Sequence, residues 1–436
     1  MKKYSLFFFL LIAMIAGAQQ QQSYIILKPD RVFDGEKMYE NLVVIVINNK
    51  IEVVAEKSIL ERMDIDPGMK IIELKGMTLL PGLIEGHSHL FLHPYNERSW
   101  DDQVLKESRQ ARMLIAEANA DTTLKAGFTT VRDLGTEGAM YDDVLLKRKI
   151  DNKTTAGFSA RPKKQLLGPR MIIATRAIVL TGTYGPKSED PKIKFPQAAA
   201  EVATADEMIK EVRTEIGNGA DLVKVYADYR LVKDGNAVPT FSQELLEAAV
   251  KTAADSGKQV VAHATTPEGM RRAIMTGVRT IEHGDRGTEE VFKLMKEKGV
   301  ALCPTLAAGD AVEQYKGWKK GIDPEPERVI NKRKTFALAL QAGVTICMGG
   351  DVGVFAHGDN AREMEMMVEY GMKPLDVLRS ATSVNADVFG YANLIGRIKT
   401  GLLADLIAVE GDPSVNIKDI RKIKLVMKDG VIYKQP

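Results

Sequence analysis

The chain has 436 residues, of which 45% are hydrophobic and 27% are charged, a composition typical of a globular protein with a large core. Its 60 basic and 58 acidic residues leave a net charge of +2, so the composition gives no electrostatic reason to expect nucleic acid or an anionic membrane as a partner. The length exceeds that of a common domain, but single α/β domains reach about 250 residues or more.

Residues 1–18 have the pattern of a signal peptide. Lys2 and Lys3 precede the apolar run 6–15, and the small residues 16–18 suit cleavage by signal peptidase. The apolar run is shorter than the roughly 20 residues that a membrane span needs. We therefore expect an exported protein, periplasmic or secreted, that has no membrane attachment after cleavage. An uncleaved N-terminal anchor is the alternative.

Both ends of the mature chain predict short β-strands. Residues 19–78 contain β-branched, alternating runs with a turn at Asn48-Asn49, and residues 400–436 have the same texture with a hairpin signal at Asp429-Gly430. We expect the two segments to build one small β-sandwich domain around residues 79–399.

The central segment alternates apolar strands with helical patterns, which is typical of a parallel sheet in an α/β fold. The candidate strands are residues 79–90, 127–133, 171–180, 221–227, 259–264, 279–283, 301–306 and 344–350. Helical patterns between them include residues 204–217, 242–256, 288–298 and 327–342. Eight strands predict a (β/α)₈ TIM barrel; an open sheet is the alternative, but no glycine-rich phosphate-binding turn is present.

Two long polar connections follow predicted strands, at residues 183–203 and 309–328. Both would lie over the C-terminal face of a barrel, where active sites are found. They are candidate substrate loops, with variable surface loops as the alternative.

The two cysteines of the chain, Cys303 and Cys347, fall on neighbouring predicted strands. Export would permit a disulfide, but two buried free thiols are the commoner outcome in core strands.

His87 and His89 end the first predicted barrel strand, in the segment 81–89 with the sequence Pro-Gly-Leu-Ile-Glu-Gly-His-Ser-His. Residues two apart on a strand share one face. The pair can therefore chelate one ion at about 2.1 Å from each nitrogen. Two hydrogen-bonded core histidines are the alternative.

Lys224 lies inside the apolar strand Leu-Val-Lys-Val-Tyr, residues 222–226. A buried ammonium is costly unless it is paired or neutralised, so we expect either a depressed pKa or a carbamate formed with CO₂. A structural salt bridge is the third possibility. Tyr226 shares the parity of Lys224, and its phenol could polarise a substrate carbonyl or simply pack.

His263 and His283 end the fifth and sixth predicted strands, and Asp351 ends the eighth. Neighbouring strand ends place the two histidines side by side, where they could ligate a second ion. The closed barrel puts Asp351 beside the first strand, where its carboxylate could bind metal and act as general base. His357 and His93 follow strand ends, and we assign His357 to substrate binding. Glu85 and Glu282 are predicted to face away from the ligands.

The segment 81–89 together with Lys224, His263, His283 and Asp351 resembles the metal-dependent amidohydrolase superfamily. The pattern is most similar to the imidazolonepropionase-like branch, which includes Xaa-Pro and Xaa-Arg dipeptidases, and the resemblance spans nearly the whole mature chain. It implies a barrel with a binuclear site, usually zinc, bridged by a carboxylated lysine and a hydroxide.

Two positions depart from that family pattern. Glu85 stands where aspartate is usual. Tyr184, in Thr-Gly-Thr-Tyr-Gly at 181–185, stands where dipeptidase-like relatives often have a histidine thought to touch substrate. Tyr184 is thus a candidate substrate contact, and a dipeptide specificity cannot be transferred directly.

The sequence thus predicts an exported amidohydrolase that cleaves an amide- or peptide-type C–N bond through a metal-bridging hydroxide. The expected substrate is a small molecule such as a dipeptide or an N-acyl amino acid. We expect two divalent ions per chain, zinc first, with a carbamate on Lys224. The alternatives are a mononuclear cyclic amidohydrolase or deaminase and a non-catalytic barrel. A homo-oligomer is possible, but the sequence does not show it.

Overall fold

The computed structural model describes residues 23–63, 68–151, 166–185, 199–232 and 235–436. The predicted signal peptide, residues 1–18, and most of the predicted connection 183–203 lie outside these described residues. Within them, no helix is both long and apolar enough to cross a bilayer.

Strands and helices alternate through the middle of the chain, and strands dominate both ends. The strands are β1 Tyr24–Phe33, β2 Met38–Glu40, β3 Leu42–Ile47, β4 Lys50–Glu56, β5 Lys70–Pro81, β6 Leu83–Ser88, β7 Phe128–Asp133, β8 Arg170–Ile173, β9 Ile178–Leu180, β10 Ala200–Val202, β11 Val223–Tyr226, β12 Asp228–Arg230, β13 Ala237–Pro239, β14 Val260–Ala264, β15 Thr280–His283, β16 Ala301–Cys303, β17 Leu406–Glu410, β18 Ile423–Lys428 and β19 Val431–Lys434. The helices are α1 Trp100–Lys106, α2 Arg109–Lys125, α3 Asp142–Ile150, α4 Ala205–Asn218, α5 Gln243–Asp255, α6 Pro267–Met275, α7 Glu289–Lys298, α8 Leu306–Tyr315, α9 Glu327–Ala342, α10 Ala361–Glu369, α11 Pro374–Arg379 and α12 Asn385–Phe389.

The two ends of the chain build one small β domain. Its strands hydrogen-bond in the order β19-β18-β17-β5-β1-β3-β4, with β2 on β1, so C-terminal β17 pairs with N-terminal β5. Alternate residues of β3 enter apolar clusters on opposite faces of the sheet. The predicted hairpin turns lie where expected: Asn48 has φ 56°, and Asp429 and Gly430 have φ 50° and 74°, which suits a two-residue turn.

The middle of the chain is a parallel barrel. Strands β6, β7 and β8 pair in parallel, as do β11, β14, β15 and β16. The gap between β8 and β11 is bridged by Asp221 N donating to Ile173 O at 2.8 Å. The other side closes through isolated parallel bridges, from Leu302 to Ile346 and from Ser88 to Val352. The predicted (β/α)₈ architecture is confirmed.

Three predicted strands differ in detail. The predicted strand 79–90 is divided at Gly82, because β5 ends in the small sheet and β6 begins the barrel. The predicted strand 171–180 is broken between β8 and β9, where Thr175 has φ 60°. The predicted strand 344–350 makes only the bridge at Ile346. A side chain at Gly349 would lie 2.4 Å from Cys303 Sγ and 2.8 Å from His87 N, which explains a glycine in this tight segment.

The four predicted helices agree with α4, α5, α7 and α9 within two residues. Helix α4 has a capping box in which Thr204 and Glu207 satisfy each other's backbone N–H groups. The predicted connection 309–328 is partly wrong, because its first residues belong to α8. Both cysteines are buried and free, as expected.

Candidate metal centre and substrate cavity

A cavity of about 800 Å³ opens at the carboxyl ends of the barrel strands. Predicted site residues on its wall are His87, His89, Tyr184, Tyr226, His263, His283 and Asp351. Residues from opposite ends of the sequence thus meet because parallel strands in a closed barrel all end on one face.

His87 and His89 present their Nε2 atoms to the same carboxylate oxygen. Asp351 Oδ1 lies 3.6 Å from His87 Nε2 and 3.4 Å from His89 Nε2. The other ring nitrogens are engaged behind the site, His87 Nδ1 with Glu282 Oε2 at 2.9 Å and His89 Nδ1 with Gly135 O at 2.8 Å. Because these oxygens accept hydrogen bonds from Nδ1, the proton of each ring is on Nδ1. The lone pair of each Nε2 therefore points toward Asp351 and is available to a metal ion.

His283 joins this group from β15. Donor atoms of His87, His283 and Asp351 all lie within 4.8 Å of one another, so His283 lies directly beside the group formed by His87, His89 and Asp351. Nδ1 of His283 is 2.8 Å from Thr305 Oγ1, a third partner behind the site.

His263 lies next to His283, with ring centroids 4.5 Å apart. Its Nε2 is 3.8 Å from Oδ1 of the buried Asp228. The four histidines therefore form a chain of adjacent rings across the barrel mouth.

Three of these histidines, His87, His263 and His283, are held neutral by burial. Burial lowers the pKa of His263 to about 3, and the charge of Lys224 adds to the effect. Burial likewise lowers the pKa of His87 and of His283 well below the ordinary value. A neutral imidazole is the form that binds metal, so these rings are prepared to act as ligands at neutral pH. Burial also raises the pKa of Asp351.

Lys224 is completely buried on β11 beneath the cavity. Its Nζ has no hydrogen-bond partner among the described residues, and it lies 5.5 Å from the ring centroid of Tyr226. Burial lowers the pKa of its amine. A buried amine without a partner is rare because its desolvation is not compensated. A salt bridge, the structural alternative, is absent from the described part of the chain.

Glu282 contacts the site, although the sequence analysis placed it facing away from the ligands. Its Oε2 accepts the His87 hydrogen bond, and its Oε1 accepts one from the buried Arg132 guanidinium at 2.7 Å. The reason is strand register: Glu282 is paired with His263 across β14 and β15, so both point into the barrel. His283 returns to the mouth because its φ is 75°.

Glu85 also faces inward. Its carboxylate accepts hydrogen bonds from His87 N and Gly350 N, and from the Asn360 side chain. Burial raises its pKa to about 7. Glu85 thus joins the strand carrying His87 to the segment carrying Asp351. The prediction that it faces away from the ligands is wrong, because residues 85 and 87 share one parity on the strand.

A second group of possible ligand atoms comprises His87, Glu282 and Cys303. It lies on the Nδ1 side of His87, where Glu282 already pairs with that ring and with Arg132. Burial raises the pKa of the Cys303 thiol well above its ordinary value, so the thiolate that a metal needs is disfavoured. The Nε2 side is the better candidate.

Three tyrosines form what we call the aromatic wall of the cavity: Tyr184, Tyr226 and Tyr229. Ring centroids lie 4.7 Å apart for Tyr184 and Tyr226, and 5.0 Å apart for Tyr184 and Tyr229. Tyr226 stacks on His263 at 4.4 Å and 14°. Burial raises the pKa of Tyr226 well above its ordinary value, so its hydroxyl keeps its proton and can donate a hydrogen bond.

The structure does not bring His357 to the cavity. The residue is buried, and its Nδ1 and Nε2 lie 3.2 Å from Thr123 Oγ1 and from His89 O. It therefore supports the strand end that carries His89 rather than contacting substrate. His93 lies between Glu97 and Glu107 and is not on the cavity wall. A position shortly after a strand end does not by itself place a side chain in the cavity.

Glu137 is a cavity residue that was not predicted from the sequence. Its carboxylate contacts Trp100 and Tyr184, and its Oε1 is 3.8 Å from His89 Nδ1. No local pattern marks it, because it lies in the loop after β7 and reaches the cavity with a φ of 50°.

Comparison with known proteins gives a consistent result. Residues 78–433 match the Amidohydrolase family. The chain is 29% identical to ochratoxinase from Aspergillus niger over 381 residues, which cover 82% of this chain and 76% of that protein. It is 24% identical to imidazolonepropionase from Geobacillus kaustophilus (strain HTA426) over 393 residues, covering 84% of each. A solved Xaa-Pro dipeptidase with methionine bound in its active site matches with TM-score 0.81 and 30% identity, covering 94% of this chain and all of that one.

Proposed function

The chain belongs to the amidohydrolase family, whose members hydrolyse carbon–nitrogen bonds, and we propose that it cleaves the amide or peptide bond of a small substrate at a binuclear metal centre. The proposal that the site holds two metal ions rests on Lys224. The named relatives support the amide part: the chain resembles an ochratoxinase and a Xaa-Pro dipeptidase.

The donor set fits two divalent ions. His87, His89 and Asp351 would hold one, and His263 and His283 would hold the other, with Lys224 completing both as a carbamate. Such ions, zinc first among those that these ligands suit, would lower the pKa of a water toward neutrality and polarise the substrate carbonyl.

The unpartnered amine of Lys224 is the observation that favours the carbamate. Because burial lowers its pKa, the nucleophilic neutral amine is accessible. Its nitrogen would bond to the carbon of CO₂, one C–O π bond would open, and the nitrogen would release one proton, so that the neutral amine would become an anion with two oxygen donors. Starting from the ammonium, one earlier proton loss is needed to give that neutral amine. Carbamate formation would add a second anionic ligand, beside Asp351, to a site whose other ligands are imidazoles.

Asp351 and Tyr226 would perform the proton and hydrogen-bond chemistry. Asp351 would accept a proton from the attacking water and return it to the leaving nitrogen, because its Oδ1 lies between the two Nε2 atoms of the first pair. Tyr226 would donate its hydroxyl to the substrate oxygen, and stacking on His263 holds its ring in place.

A mononuclear enzyme like imidazolonepropionase is the second candidate, supported by the 24% identity over most of both chains. In such a mononuclear enzyme, Lys224 would be buried without a partner and would have no role in the reaction. The binuclear proposal is favoured because it gives that amine a reaction partner.

The test combines metal analysis with a substrate panel. Protein purified with bicarbonate and without chelator should contain about two ions per chain and should hydrolyse members of a panel of dipeptides and N-acyl amino acids. Chelation should abolish turnover, and Zn²⁺, Mn²⁺ or Co²⁺ should restore it. One ion per chain, with activity only on cyclic amides or amidines, would support the mononuclear alternative instead.

The role of Asp351 is tested separately. Asp351→Asn should lower kcat by about 10²- to 10⁴-fold while most of the metal stays bound. Near-normal turnover in this variant would remove Asp351 from its proposed role.

We also propose that the protein is exported, on the strength of residues 1–18. Expression of the full chain in a bacterial host, followed by fractionation and mass measurement of the N-terminus, tests this. A mature chain starting at Gln19 in the periplasm or medium is expected, whereas an intact chain in the cytoplasm or membrane fraction would overturn it.

A further inference from the structure

The carboxylate of Glu137 lies on the cavity wall. Among the described residues, it accepts hydrogen bonds only from uncharged groups. The residue is 2% exposed, and its Oε2 accepts hydrogen bonds from the indole Nε1 of Trp100 at 2.9 Å and from the hydroxyl of Tyr184. Its Oε1 accepts no hydrogen bond from the described residues. His89 Nδ1 lies 3.8 Å from Oε1 but donates to Gly135 O.

The nearby Arg112 does not neutralise this carboxylate by direct contact. The buried guanidinium of Arg112 donates to main-chain oxygens of Phe91, Thr136 and Glu137. It therefore fixes the loop that presents Glu137, in which Glu137 itself has a φ of 50°. The position of the carboxylate is thus built into the fold.

The three aspartates on the cavity wall each lie beside basic residues or candidate metal ligands. Asp285 pairs with Lys332, and Asp310 pairs with Arg362 and, at 3.2 Å, with Lys320. Asp351 lies among the candidate metal ligands. Buried charges are normally paired. Glu137 is therefore the acid on the described cavity wall whose positive partner is still to be supplied.

The surroundings of Glu137 suit a cation. Its two neutral donors come from aromatic residues, and Trp100 packs on Tyr184 with ring centroids 5.3 Å apart. Tyr184 belongs to the aromatic wall. Aromatic rings attract ammonium groups over their faces, so a cation bound to Oε1 would meet both a carboxylate oxygen and aromatic rings.

We propose that Glu137 binds the protonated α-amino group of the substrate, so that the enzyme prefers substrates with a free N-terminus over N-acylated ones. This inference rests on the proposed function and narrows its substrate class. An α-amino nitrogen is two bonds from the scissile carbonyl carbon, and Glu137 is correspondingly next to the candidate ligand His89. A cation at the end of a long side chain would suit this short separation less well.

The experiment compares matched compounds on the wild type and on Glu137→Gln. L-methionyl dipeptides and their N-acetyl forms are assayed for kcat/KM, and binding of L-methioninamide and N-acetyl-L-methioninamide is measured by calorimetry. Glutamine can still accept the Trp100 and Tyr184 hydrogen bonds but carries no charge. The wild type should prefer the free-amino compounds by roughly 10- to 100-fold, the range expected for a hydrogen bond to a charged group. The variant should lose most of that preference, mainly through KM.

Two further variants separate binding from structure. Glu137→Asp keeps the charge and should keep part of the preference for a free amine, whereas a merely structural role predicts equal losses on both compound series. Glu97→Gln, in a carboxylate off the cavity wall, is the matched control and should retain the wild-type preference. Metal content and melting temperature show whether each variant is folded and loaded.

Each outcome decides the inference. Equal or better use of N-acetyl compounds by the wild type would overturn it while leaving amide hydrolysis intact. If no compound of either series is hydrolysed, the proposed function fails for these substrates, and the calorimetry still decides: equal affinity for the two amides overturns the role of Glu137. Selective binding of L-methioninamide that is lost in Glu137→Gln supports it.

Discussion

The barrel mouth and the seam between the barrel and the small β domain each contain a buried lysine, and only one of the two has a partner. Lys428, at the seam, donates to Gly168 O at 2.9 Å. Lys224, under the mouth, donates to nothing in the described structure. Burial lowers the pKa of both amines, so the difference lies in the surroundings, not in the residue type.

The seam is a paired network. Arg170 contacts Asp429 at 2.7 Å and Asp405 at 3.1 Å, and Asp405 also accepts from Asp429 N at 2.8 Å. Charge and hydrogen bonding here connect three distant parts of the chain. Such an arrangement is what a buried charge in a structural role requires.

The mouth retains more features that cost stability than the seam, where one buried atom, Arg170 Nε, has no hydrogen-bond partner among the described residues. Besides Lys224, four residues on the cavity wall have left-handed backbone: His283 at φ 75°, Asp351 at 61°, Thr305 at 51° and Glu137 at 50°. The seam has one, Asp429 at φ 50°. Each such residue costs roughly 1–3 kcal/mol. Uncompensated groups are thus more numerous at the mouth, where a ligand would compensate them, so equivalent substitutions in the two regions should have opposite effects.

The largest effect is expected for Lys224→Met. Without the amine no carbamate can form, so bound metal should fall from about two ions per chain to one or fewer, and kcat/KM should fall by about 10³-fold or more. The metal-free variant should also resist urea better than the metal-free wild type, by about 1–2 kcal/mol, because an unpartnered buried amine has been removed. Elemental analysis, kinetics and urea unfolding measure the three quantities. Two ions per chain with normal activity would show that Lys224 is structural.

Glu282→Gln should have the next largest effect. The variant keeps the shape of the side chain but removes the charge that orients His87 and pairs with Arg132. Loss of such a partner behind a metal ligand typically costs about 10- to 100-fold in metal affinity or activity. Competition with a chelator measures the affinity. An unchanged metal affinity would mean that Glu282 matters only for packing around Arg132.

Lys428→Met tests the seam and should have the opposite pattern to Lys224→Met. It leaves Gly168 O without its donor, so the free energy of unfolding should fall by about 1–3 kcal/mol. Metal content and kcat/KM should stay within about twofold of wild type, because distant sites act independently. A stability loss in Lys224→Met as large as in Lys428→Met would remove the distinction between the two regions.

The sequence was sufficient to predict which strand ends carry most of the candidate metal ligands. His87, His89, His263 and Asp351 could be placed because each follows a strand whose apolar pattern is clear, and because strand ends converge on one face of a barrel. Lys224 could be singled out because a charge inside an apolar strand is unusual on its own.

The supporting contacts could not be predicted, because they depend on register and backbone geometry. Glu282 faces His87 because of its pairing with His263 across two strands, whereas simple alternation from His283 indicated the opposite face. Glu137 reaches the cavity from a loop with left-handed backbone, which no local pattern announces. His357 also follows a predicted strand end, yet its side chain contacts the backbone of His89 and does not reach the cavity.

The smallest predicted effect is a pH dependence of the free energy of unfolding. It tests whether ionisation of the buried Glu363, near the mouth, destabilises the fold. Glu363, on α10, accepts hydrogen bonds from Leu306 N and Ala307 N at the start of α8, next to left-handed Thr305. Burial raises its pKa from 4.5 to about 8. Between those values the folded chain holds a proton that the unfolded chain has lost, so this residue makes stability fall as pH rises.

Glu363→Gln removes that titration. The variant should be less stable than wild type by about 1–2 kcal/mol at pH 5, because one backbone N–H loses its acceptor, and the deficit should shrink or reverse by pH 9. Glu365→Gln on the same helix is the control, because Glu365 pairs with Arg421 at 2.6 Å near the surface and should change stability by under about 1 kcal/mol. Urea unfolding of metal-free protein across this range measures both. A deficit that stays constant with pH would mean that the surroundings of Glu363 compensate its charge, and that the uncompensated groups are confined to the cavity itself.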